Sequence, residues 1–169
     1  GRVDDAAAQI ADGTDQARRE GNAMALDIWT TNDGAVQLTA GRLSAARAAI
    51  ESLPRPQRTG VSEPDMIRMV VLTDVAVRTD DRTLLQQMVK DARDAYPTGS
   101  SVVRRGAAHV LALAAWQRDD VHDAMRWLGG ITLFGTPLWP QVLDQVILGA
   151  RVASAAGDAE STARGVSAK

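Results

Sequence analysis

Asp80-Asp81-Arg82-Thr83-Leu84-Leu85 reads as a tight turn running into a helix, and the same phrase recurs. It stands as Gly41-Arg42-Leu43-Ser44-Ala45-Ala46 and as Asp119-Asp120-Val121-His122-Asp123-Ala124. Gly157-Asp158-Ala159-Glu160-Ser161 continues the series, and Gly1-Arg2-Val3-Asp4-Asp5-Ala6 reads as a copy truncated at its front. The steps are about 38 to 40 residues, the interval expected of stacked helical pairs. This self-similarity predicts an all-α fold: a right-handed α/α superhelix of helix-turn-helix repeats with a period of about 39 residues. The chain starts and stops inside repeats and begins without a methionine, so residues 1–169 are expected to be one helical-repeat domain from a longer, multidomain protein.

Working outward from the turns, long helices are expected near Asn22–Ala40, Ser62–Thr79, Ser100–Arg118 and Thr136–Ala156. Shorter partners are expected near Val3–Glu20, Arg42–Ser52, Asp81–Tyr96, Asp120–Trp127 and from Ala159 onward. Ser62-Glu63-Pro64-Asp65 combines a hydroxyl cap, a first-turn proline and an acid three residues in, all of which suit the unpaired amides at a helix start. Leu53-Pro54, Tyr96-Pro97-Thr98-Gly99 and Leu128-Gly129-Gly130 are stops. Apolar residues keep helical spacing at Ile67, Val70, Val71 and Val75, at Leu84, Leu85, Met88, Val89 and Ala92, and at Leu143, Val146, Ile147 and Ala150.

Composition narrows the function classes. Apolar residues make up 45% and charged residues 24% of the chain, a globular balance rather than a disordered one. The net charge is −2 and the arginines are scattered, so no basic face is available to neutralise phosphates and no nucleic-acid contact is expected. The absence of cysteine excludes disulfides and thiolate metal sites, and fits a cytoplasmic protein. The longest apolar run, Gly106–Trp116, falls short of the roughly 18 to 20 residues of a membrane span and contains His109.

Catalytic chemistry finds little to work with. Gly130-Ile131-Thr132-Leu133-Phe134-Gly135-Thr136 has phosphate-loop glycine spacing but lacks the lysine that reaches the phosphates, and it follows a helix instead of a strand. His109 and His122 lie in different helices, so neither a base–nucleophile pair nor a histidine metal site is nominated. No catalytic residue, metal or cofactor is expected. The polar residues of the long helices offer a binding groove instead. Arg104, Arg105 and His109, facing Asp74 on the preceding long helix, are the candidates for holding an anionic group. Trp29, Trp116 and Trp127 read as packing residues. Phe134 and Trp139 lie in an unusually apolar connection and are candidates for a surface recognition loop.

Leu38-Thr39-Ala40-Gly41-Arg42-Leu43-Ser44-Ala45-Ala46 and Ala156-Gly157-Asp158-Ala159 resemble tetratricopeptide-like repeats. The stretch from Leu111 to Leu128, with Leu133-Phe134-Gly135-Thr136-Pro137-Leu138, is similar to the helical-repeat region of large ATP-dependent LuxR-type transcriptional regulators related to the maltose-regulon activator. The resemblance covers roughly Asn22 to Ala159. It implies the middle part of a three-part protein, between an ATPase switch and a helix-turn-helix module. The expected role is a non-catalytic module that binds a protein partner or a small-molecule inducer in its concave groove. The alternative is a generic protein-interaction scaffold without small-molecule sensing. An open-ended stack would also allow association between copies of the chain.

Overall fold

The computed structural model describes residues 2–53, 61–129 and 147–157. Among these residues the chain is all-helical, with no strand. The elements are α1 (Arg2–Arg19), α2 (Ala23–Thr39), α3 (Leu43–Glu51), α4 (Glu63–Thr79), α5 (Arg82–Ala95), α6 (Ser101–Trp116) and α7 (Val121–Gly129), and residues 147–157 are helical as well. These bounds match the sequence reading within a few residues wherever the two can be compared.

The turn phrases earn their position through backbone geometry. Gly41, Asp80 and Asp119 adopt left-handed φ values of 74°, 53° and 58°, each 39 residues after the last. The residue that follows donates its amide back to the carbonyl five positions earlier: Arg42 to Gln37 at 2.9 Å, Asp81 to Ala76 at 2.9 Å, and Asp120 to Ala115 at 3.1 Å. This bond closes the outgoing helix on its own unpaired carbonyls. In two of the three turns the same residue then caps the next helix. The Asp81 carboxylate accepts from Leu84 N–H and the Asp120 carboxylate from Asp123 N–H, both at 3.0 Å. One acidic pair therefore ends one helix and begins another within two residues. The α1–α2 turn uses the same device, with Gly21 left-handed at 64° and Asn22 capping Ala25.

Helix starts follow the expected signals. Ser62 and Asp65 form a reciprocal capping box with Pro64 in the first turn of α4, and Ser100 caps α6 through Val103 N–H.

Packing runs along the chain. α1 packs on α2, α2 on α3 and α4, α4 on α5 and α6, and α6 on α5 and α7. The long helices α2, α4 and α6 thus form a row in which each touches the next. Ile67, Val70, Val71 and Val75 of α4 are buried in the main core with Val103, Ala107 and Val110 of α6. A second cluster joins Ala112 and Ala115 of α6, Ala124 of α7, and Leu148 and Val152. Side chains of this size bury tightly because small residues let the backbones approach. Gly34 faces Ile50 so closely that an added Cβ would lie 2.6 Å from Ile50 Cδ1, and Gly13 seats the Trp29 ring. Trp116 and Trp127 both pack on the second cluster, and Trp127 also meets Tyr96 edge-on at 5.2 Å, tying the ends of α5 and α7.

One stripe differs from expectation. In the last described helix Leu148 and Val152 face the core, whereas Ile147 is 42% exposed and Ala150 is also exposed. The face toward α6 and α7 is set one residue further on, at i and i+4. Leu143 and Val146 lie outside the described residues.

Candidate functional site

The four groove candidates separate in the structure. His109 is 1% exposed and Asp74 is 9% exposed, whereas Arg104 is exposed and Arg105 half-buried. The reason is packing. Residues 69–76 of α4 and 106–112 of α6 are buried in unbroken runs, so the middle turns of these helices open no face to solvent. His109 corrects the expectation of a solvated groove residue: its ring is enclosed, and neither ring nitrogen has a hydrogen-bond partner among the described residues. Burial alone pushes its pKa down to about 4, so at neutral pH it carries no charge with which to hold an anion. A 39-residue shift backwards from His109 meets Val70 and then Thr31, both buried, which marks this as a seam position. Phe134 and Trp139 lie outside the described residues.

Other polar groups of the long helices are engaged locally or across one seam. The Thr31 and Thr73 hydroxyls donate to carbonyls one turn back, Asp27 O and Met69 O, at 2.7 Å. Arg68 of α4 reaches Asp27 of α2 at 3.5 Å with its side chain only 13% exposed. Among the described residues no group of three histidine or acidic side chains is placed to hold a metal ion.

Concavities among the described residues lie elsewhere. A cleft of about 650 Å³ opens between α5 and the C-terminal ends of α4 and α6. Its floor is Ala76, Val77, Leu85, Val89 and Ala114, and its rim carries Gln86, Lys90, Arg93, Asp94 and Arg118. A smaller hollow of about 390 Å³ lies between α3 and the end of α4, lined by Leu43, Ser44, Arg47, Val75, Thr79 and Asp81. There Arg47 bonds Glu51 at 2.8 Å and Asp81 at 2.9 Å. Those contacts hold the Arg47 pKa above its usual value, with Glu51 the stronger cause. The Leu84 amide first and Arg47 second hold Asp81 below the usual carboxylate range. Both carboxylate and guanidinium are thus fixed in their charged forms.

Sequence reasoning missed the cleft because it looked for function on the long helices. The signal was present: with the turn copies aligned at 39 residues, Glu51 falls on Lys90 and Arg47 on Gln86. No protein-family model, curated protein or solved structure matches the chain.

Proposed function

We infer that this chain is a non-catalytic binding module whose helical pairs stack into a right-handed α/α superhelix, serving a bacterial signalling or transcriptional regulator. The observation that carries the reading is the recurrence of one turn geometry at Gly41, Asp80 and Asp119, with a hollow at the same place in successive pairs. Such an architecture offers repeated surface, and the two concavities described above are open seams between helices. The LuxR-type assignment rests on the resemblance of the Leu111–Leu128 stretch to the repeat regions of those regulators.

The mechanism follows from nearest-neighbour packing. Among the described residues successive pairs meet along the α2–α4–α6 row, so an occupant wedged between pairs would change the curvature of the stack or its end-to-end association. The cleft favours a protein partner over a small inducer. Its polar groups stand on the rim, whereas sites for small polar molecules place a few polar groups so that they converge on the ligand. This also supports the plainer reading of an interaction scaffold. The two readings differ in whether occupancy changes shape.

The test combines affinity capture on the immobilised chain with calorimetric titration of the recovered protein and of candidate inducers. Saturable one-to-one binding supports the module reading. Failure to recover any partner, together with no heat from any inducer, contradicts it.

A further inference from the structure

This inference names the site and the ligand chemistry of the binding module and rests on that reading. A shift of 39 residues carries the smaller hollow onto the larger cleft: Leu43 onto Arg82, Arg47 onto Gln86, Val75 onto Ala114, and Thr79 onto Arg118, each residue lining its own cavity. The two hollows are one position in successive pairs. Their differences are therefore departures from a shared structural solution.

Three departures point the same way. In the smaller hollow the guanidinium of Arg47 is held between two carboxylates, Glu51 and Asp81. In the larger, the shift places Gln86 at the arginine position and Lys90 at the glutamate position, so the bridge is gone and an anion has become a cation. Lys90 and its neighbour Arg93 are exposed and form no hydrogen bond or ion pair among the described residues. Of the three acidic lining residues, Asp80 is engaged with Arg82 at 3.5 Å and Asp81 with Arg47, which leaves the exposed Asp94 against Lys90 and Arg93. Finally, Ala46 and Ile50 are 0% and 1% exposed, but their counterparts Leu85 and Val89 are only half-buried, and Leu85 stands outside the core cluster.

On α5, Leu85 and Val89 form an i, i+4 apolar stripe, and Gln86, Lys90 and Arg93 form an i, i+4, i+7 polar stripe beside it. A surface of this kind matches an amphipathic helix: its apolar face lies on the first stripe and its carboxylates meet the second. We propose that the α4–α5–α6 cleft docks an acidic amphipathic helix of a protein partner, with Leu85 and Val89 as the apolar seat and Lys90 and Arg93 as the carboxylate acceptors.

The test uses two labelled synthetic peptides of about four helical turns. Both carry Leu at i, i+4 spacing, with Glu at the remaining positions of one and Lys in the other. Fluorescence anisotropy should show the Glu peptide binding at least tenfold more tightly than the Lys peptide, and the affinity should fall with added salt. Lys90→Glu with Arg93→Glu should reverse the preference. Lys90→Met with Arg93→Met should weaken the Glu peptide without gaining the Lys peptide. Both positions are exposed, and an unchanged circular dichroism melt shows that the fold is kept. Undiminished binding of the Glu peptide to either double variant overturns the site while leaving the binding-module reading intact. Failure of the wild-type chain to bind the Glu peptide overturns the ligand chemistry, and capture and calorimetry then decide the broader reading separately.

Discussion

Arg47 of α3 and Asp81 at the head of α5 are joined at 2.9 Å across 34 residues of sequence. Asp81 also accepts from the Leu84 amide, and its own amide closes α4 on Ala76. One residue thus ends α4, starts α5 and ties both to α3. This contact is shorter than the 3.5 Å Arg68–Asp27 contact, and among the described residues the arginine position has become Gln86 one pair later.

Asp81→Ala should lower the Tm more than Asp81→Asn, because asparagine can still cap α5 but cannot pair with Arg47. Arg47→Ala should lower it least, since exposed ion pairs contribute little. The Asp81 pKa is lowered by folding, so its stabilisation is present above the unfolded carboxylate range and is lost as pH falls through the folded value. Thermal melts of wild type and the three variants in a series of decreasing pH from 7 check both the order and its loss in acid.

His109 shifts in the same direction, in a higher pH window. Its folded pKa of about 4 lies below the ordinary 6.5, so the unfolded chain binds the proton first. Stability should therefore rise with pH between roughly 4 and 6.5, by about 3 kcal/mol from this residue alone. His109→Leu should remove that slope. Urea unfolding of wild type and variant at pH 5 and pH 7 isolates the difference from the carboxylates.

Gly41 holds a left-handed turn that asparagine or aspartate tolerate better than alanine. Gly41→Ala should cost about 1 kcal/mol, whereas Asp80→Gly should be neutral or slightly stabilising. Denaturant midpoints of the two variants test whether the turns at 41 and 80 share one backbone requirement.

Gly34→Ala sets helix propensity against packing. Alanine should gain up to about 1 kcal/mol in a helix interior, but its Cβ would press on the fully buried Ile50 at a typical cost of about 1–3 kcal/mol. Net destabilisation is expected, with only partial recovery in the double variant that also carries Ile50→Val, because Ile50 Cγ1 too would stand 2.7 Å from the added Cβ. Leu111→Asp is the stronger case. Burying an unpaired charge in the α6 core should unfold the chain, as read by loss of helical circular dichroism.

The helical layout was legible because each turn states its geometry in one or two residues. Glycine and aspartate at 41, 80 and 119 are the residues that enter the left-handed region most readily, and Asp81 and Asp120 are natural caps. The inner faces were less legible. His109 reads in sequence as a groove residue for an anionic group, yet its helix is enclosed over consecutive turns, which depends on neighbours far along the chain. Leu85 looked like one more core residue beside Leu84 and Met88, because a helical period does not say how wide the buried stripe is. The cleft becomes readable only when one pair is compared with the next.

The central claim is that the pairs repeat in space as they do in sequence. Ser44, Thr83 and His122 are exposed, stand at successive steps of 39 residues, and can each be replaced by cysteine in a chain that has none. Spin labels placed two at a time should give matching distances for 44–83 and 83–122, and a clearly longer distance for 44–122. Unequal single steps, or a 44–122 distance no longer than one step, would contradict the stacked arrangement.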